Sequence, residues 1–208
     1  MSQGKDGKPD PAAYGQQPEA ILPEQLFAAH ATKQLHPKAT RALAAGLIYI
    51  MGEIMNGAYG LRVKADAEEA DGREIQPHQV EEAIRSDNEL RRLLSAWLLE
   101  GAPGAQTASQ PVQQPVAPTP DGALENSVDR MMSAINPDES VTVSASARRL
   151  LAGLLTLLAE HMMDAADVIS TRTNSNVIYA EDVRAAVKVM LTGEMRQLAD
   201  REISSATA

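Results

Sequence analysis

The sequence predicts an all-α protein made of two copies of one helical unit, joined by a flexible linker and paired with each other inside a single chain. Three observations predict it. Hydrophobic residues make up 44% of the chain and aromatics only 3%, so Leu, Ala, Met and Ile carry the core, and these are good helix formers. Few segments concentrate the Val, Thr and aromatic residues that favour sheet. Finally, GAPGAQTASQPVQQPVAPTP (101–120) is uncharged, proline-rich and without helical period, and on either side of it the same order of helical patterns appears.

Residues 1–19, rich in Pro, Gly and Gln, read as a disordered arm. The first unit then covers 20–100, the linker 101–122 and the second unit 123–208. Each unit opens with a short amphipathic helix, Pro23–Gln34 and Ala123–Ile135. A proline-containing loop follows, LHPKAT in one unit and NPDESVTV in the other. Next comes a long helix. Leu43, Leu47, Ile50, Ile54, Ala58 and Leu61 recur at three- and four-residue steps, as do Leu151, Leu154, Leu155, Leu158, Met162 and Ile169. Polar loops, KADAEEADGRE and TRTNSN, end these helices, followed by a brief apolar touch at Ile75 or at Val177 and Ile178. A short helix starts with Pro77 in its first turn, its counterpart being AEDVRAAVKVM. A last helix opens at Asp87 or Thr192, each a suitable N-cap. One such unit cannot bury its long helix alone, whereas two crossed head to tail can, and the linker keeps the second unit at an effective concentration of about the mM range.

Composition narrows the function. The absence of cysteine excludes disulfides, thiol catalysis and Cys-ligated zinc. The amino end, MSQGKDGKPDP, carries no apolar signal core, and the runs Ala42–Gly52 and Leu150–Ala159 are too short to span a bilayer. The net charge is −9, and neither unit is basic: nine Lys/Arg face twelve Asp/Glu in 20–100, and eight face thirteen in 121–208. Such a chain is repelled by nucleic acid at long range.

Short helix, loop, long helix, loop, short helix is the outline of the histone fold, and the residues sharpen that resemblance. The first unit resembles histone 2A through ALAAGLIYIMGEIMNGA and, more strongly, through IQPHQVEEAIRSDNELRRLL. The second resembles histone 2B through INPDESV, EHMMDAADVI and VMLTGEMRQLADREISSATA. The resemblance covers nearly everything outside the arm and linker. It implies two histone folds forming an intramolecular handshake pseudo-dimer, similar to the fused doublets carried by large DNA viruses.

The resemblance also implies two sets of site residues. An acidic patch maps onto Glu53, Asp87, Glu89, Glu194 and Glu202, thinned because Ile48, Asn56 and Asn88 stand where the family has carboxylates. Such a patch takes arginine anchors of partner proteins through charge-assisted hydrogen bonds. DNA contacts map onto Lys38 and Arg41 at one helix start, Arg148 and Arg149 at the other, and Arg73 and Arg172 beside the second loops, together with the helix N-terminal N–H groups. These contacts are depleted: Asp66, Glu68, Glu69, Asp71 and Glu74 crowd one loop against Lys64 and Arg73, and Ser175 stands at an arginine position. The segment with which histone 2A docks on histones 3 and 4 is replaced by SAWLLEGAPG running into the linker.

Other features carry no chemistry. His30, His36, His78 and His161 lack metal-ligand spacing, DAEEADG lacks the alternation and closing Glu of a calcium loop, and no nucleophile–base pair or phosphate loop is present. Trp97 is expected to pack between the terminal helix and the core. The expectation is a non-enzymatic, cofactor-free chromatin protein of the nucleus, or of a viral factory and virion. It would bind double-stranded DNA weakly on its own, partner a histone 3–4-type dimer or doublet, and stay clear of membranes. The alternative is an acidic histone-fold adaptor, a transcription-factor or assembly subunit that binds proteins and little or no DNA.

Overall fold

The computed structural model describes residues 21–65, 74–100, 122–136 and 141–208. The arm, the linker but for Gly122, the acidic stretch with Arg73, and residues 137–140 lie outside the described residues.

In the first half, α1 is Glu24–Ala28, β1 Gln34–Leu35, α2 Pro37–Ala65, β2 Glu74–Ile75, α3 Pro77–Ser86, α4 Asn88–Leu93 and α5 Ser95–Glu100. In the second, α6 is Ala123–Ile135, β3 Thr142–Val143, α7 Ala145–Arg172, β4 Val177–Ile178, α8 Ala180–Met190 and α9 Gly193–Thr207. Each half therefore repeats short helix, bridge, long helix, bridge, short helix, terminal segment.

The pairing of the bridges defines the architecture. β1, before α2, pairs in parallel with β4, after α7, in the register Gln34↔Val177 and Leu35↔Ile178. β2, after α2, pairs in parallel with β3, before α7, with Glu74↔Thr142 and Ile75↔Val143. Each loop of one half is thus bonded to the opposite loop of the other, so the two long helices cross head to tail. One further backbone bond extends each bridge in matching positions: His36 N–H donates to Ile178 O at 3.0 Å, and Ser144 N–H donates to Ile75 O at 3.0 Å.

The residue just before each long helix also starts it. Ser144 Oγ accepts from Ala147 N at 3.1 Å, and His36 Nδ1 accepts from Lys38 N at 3.2 Å. Free N–H groups of a first turn are satisfied in this way. Pro37 follows His36 as the first helical residue, where its missing N–H costs nothing. The loop LHPKAT is accordingly shorter than the sequence suggests.

Packing of the halves is unequal. Residues 42–52 of α2 are buried on every side, because α7, α8 and α9 all lie against this helix. The inner stripe of α9, Met195, Ala199 and Ile203, is buried against it at four-residue spacing. By contrast α7 keeps Gly153, Glu160, His161 and Asp164 exposed. Burying a Leu or Ile side chain contributes roughly 1.5–3 kcal/mol, and Leu43, Leu47, Ile50, Leu155 and Leu158 are all fully enclosed. The core is one body shared by both halves.

Two expectations need correction. The helix expected over Pro23–Gln34 is confined to Glu24–Ala28, since Gln34 and Leu35 are taken by the bridge to β4. The single terminal helix expected after Asp87 is broken at Leu94, whose ψ of 22° leaves the helical range, giving α4 and α5. Trp97 is 9% exposed and belongs to the core, as expected.

Candidate functional site

Four of the five expected patch carboxylates act on one buried phenol. Tyr49, 5% exposed on α2, has its acidity suppressed well beyond the usual tyrosine range, first by burial and then by Glu53, Glu194, Glu89 and Glu202. Glu53 lies one turn along α2, Glu89 comes from α4, and Glu194 and Glu202 come from α9. Four acidic side chains from both halves therefore act on one hydroxyl, which stays protonated.

Their environments differ. Glu194 is exposed, whereas Glu53, Glu89 and Glu202 are half-buried. Glu202 lies 3.9 Å from Arg201. Glu89 reaches across to the other half, where its Oε2 accepts from Met195 N at 2.9 Å. It thereby caps α9. Thr192 occupies the N-cap position but makes no side-chain cap bond, so the expected cap is replaced by a carboxylate from the opposite half. Gly193 makes room for it, with φ of +55° and a position where any Cβ would run into the Glu89 carboxylate. Asp87 does not join the cluster around Tyr49. It caps its own helix, its Oδ1 accepting from Glu89 N at 2.8 Å and Leu90 N at 2.9 Å.

The expected basic residues fall at the two loop-bridge ends. Lys38 and Arg41 start α2 just after β1, and the β1–β4 pairing sets them near the end of α7, where Arg172 is exposed. Lys38 is exposed, but its Nζ donates to Thr207 O at 2.7 Å and Ala208 O at 3.4 Å. At the opposite end stand Arg148 and Arg149, beside the β2–β3 pair. Arg148 is held by Asp129 Oδ1 at 2.8 Å and by Val143 O at 3.4 Å. Arg149 is 76% exposed, with Glu125 at 4.0 Å. Arg73 lies outside the described residues.

Lys33 was not legible in the sequence. Its Nζ meets Ser170 Oγ at 2.7 Å, Thr171 Oγ1 at 2.6 Å, and Asp167 through both its carbonyl and its carboxylate at 3.3 Å, fastening the chain before β1 to the last turns of α7. No local signal marks it, because every partner is more than 130 residues away. Tyr49 was legible only as one turn from Glu53.

Residues 125–187 match the family model of the histone-like transcription factor (CBF/NF-Y) and archaeal histone. Histone H2B of Encephalitozoon cuniculi (strain GB-M1) is 23% identical over 83 residues, 40% of this chain. The match spans 64% of that relative's length. Among solved structures, the histone from Methanopyrus kandleri superposes with a TM-score of 0.50 at 15% identity, over 87% of this chain and 99% of that one. An alignment covering 87% of the chain extends through both halves, so the histone fold is present in the molecule as a whole.

Proposed function

We propose that this histone-like chain is a structural chromatin protein, a fused 2A–2B-type doublet that helps package DNA in nucleosome-like particles with a histone 3–4-type partner. The observation that carries the reading is the reciprocal bridging of β1 with β4 and β2 with β3, which gives one polypeptide the pairing that separate histones achieve as two. Histone-fold proteins package DNA in chromatin, and the matching relatives are histones and histone-like factors, not enzymes. DNA would run past the two loop-bridge ends, meeting Arg41 and Arg172 at one and Arg149 at the other, with the start of α7 offering N–H groups, whereas those of the first turn of α2 are bonded to His36. Arg-anchored chromatin proteins would meet Glu53, Glu194 and Glu202. A nuclear setting, or a viral factory and virion, follows from the same reading.

Net charge and geometry together make bare DNA a poor ligand. Lys38 and Arg148 already hold acceptors inside the chain. Each neutralised phosphate adds about 0.9 to the salt slope of binding, so few contacts mean a shallow slope. The test is reconstitution with duplex DNA across a salt series, alone and with a histone 3–4-type partner, followed by nuclease digestion. Weak binding alone and a discrete protected fragment with the partner are expected. Absence of any protected fragment with the partner overturns the packaging reading.

A further inference from the structure

Both ends of α9 are gripped by side chains of the first half, and the charges match the helix dipole. A helix carries partial positive charge at its amino end and partial negative charge at its carboxyl end. At the amino end the grip is Glu89, accepting from Met195 N. At the carboxyl end it is Lys38, whose Nζ donates to the carbonyl of Thr207 and to Ala208 O. The two residues are far apart in sequence and lie on different elements, α4 and α2, yet they meet the two ends of one helix with the correct signs.

Between the ends, α9 is held differently. Met195, Ala199 and Ile203 are buried against α2, with Ile203 close enough that a Cβ on Gly46 would meet its Cδ1 at 3.3 Å. Asp200 accepts from Arg184 at 2.9 Å and pairs with Lys188 at 3.2 Å, tying the middle to α8 of its own half. Other charges stand nearby: Glu194 and Asp87, both exposed, and Glu53 and Glu202, which act with Glu89 on Tyr49, oppose a carboxylate there, whereas Arg196 in the same first turn of α9 favours one. Glu89 is held in place by its N–H···carboxylate bond from Met195 and by the space left by Gly193.

We propose that α9 is an electrostatically latched strap over α2. Glu89 latches its amino end and Lys38 its carboxyl end, so that losing either contact opens that end while the apolar middle stays seated. In the closed strap Glu89 and Lys38 are positioning residues. Opening an end turns the same side chain outward as a free charge, an anion on the acidic surface or a cation beside the β1–β4 loops. The latch stands independently of the DNA-packaging reading.

Hydrogen exchange followed by mass spectrometry on the full chain tests it. Glu89→Gln keeps the shape of the cap and removes its charge, and should speed exchange in the first turn of α9 roughly two- to fivefold, leaving the last turn alone. Lys38→Gln, at an exposed position outside the core, should do the reverse by a similar factor. Raising salt from about 0.05 M to about 0.5 M should loosen both ends of the unmodified chain, because exposed charges are screened over a few ångströms at the higher strength. Exchange in α8 should stay constant throughout. End-specific acceleration supports the strap. Unchanged α9 exchange, or acceleration spread evenly over α7, α8 and α9, overturns it, and the salt series separates these outcomes without any substitution.

Discussion

Asp87 and Glu89 stand two residues apart, both acidic and both expected on a partner-binding surface, and in the structure Asp87 accepts from two backbone N–H groups and Glu89 from one. Residue type and position along a helix were legible in the sequence. The acceptor or donor each residue would find was not, because Glu89 reaches Met195 across 106 residues and Lys38 reaches Thr207 across 169. Asp200 gives this a pH signature. The side-chain hydrogen bond from Arg184, helped by Lys188, holds its carboxyl below the usual carboxylate range against the opposing effect of burial. A depressed folded value contributes stability above the ordinary range and loses it as pH falls through the folded value. With Arg184 and Lys188 partly exposed, the pair is worth on the order of 0.5–1 kcal/mol. Asp200→Asn should therefore lower unfolding stability at neutral pH, with the gap closing below about pH 4. Urea unfolding of both proteins at neutral and acid pH measures it, and a gap that does not change with pH would count against the ion pair.

The long helices were the most legible elements, since their three- and four-residue spacing of Leu and Ile persists through α2 and α7. Short elements were less so. β1 to β4 are two residues each and exist only because the other half supplies their partners, which no local pattern reports. Close helix approach was also hidden. A Cβ at Gly57 would meet Ala83 Cβ at 2.9 Å, and α3 would have to move as a backbone to relieve it. At Gly46 the nearest atom, also at 2.9 Å, is the terminal methyl of Met162, which can rotate away. Replacing a helical glycine by alanine gains about 1 kcal/mol in propensity, whereas overpacking against a fixed neighbour costs about 1–3 kcal/mol. Gly57→Ala should accordingly destabilise the fold and Gly46→Ala should be close to neutral. Denaturation midpoints rank them, and the reverse order would contradict the packing described for α2 and α3.

At the scale of the molecule, the two halves make one core, and duplication in the sequence was the clue. Ala123–Ile135 and Ala180–Met190 coincide with the helices expected there, and the repeat order predicted that each half needs the other. The asymmetry was not foreseeable. Both terminal segments looked alike, yet α9 lies along α2 while α4 and α5 leave the outer face of α7 open, a difference set by cross-half contacts such as Glu89 with Met195. If burial of that shared core holds the halves, the linker adds only proximity. Proteolytic cleavage confined to residues 101–121, followed by sedimentation at micromolar concentration, asks the question directly. The halves should stay together as one particle near the 22.3 kDa mass of the intact chain. Separation into two independent folded species, or assembly of the uncut chain into particles of twice that mass, would contradict pairing within one chain.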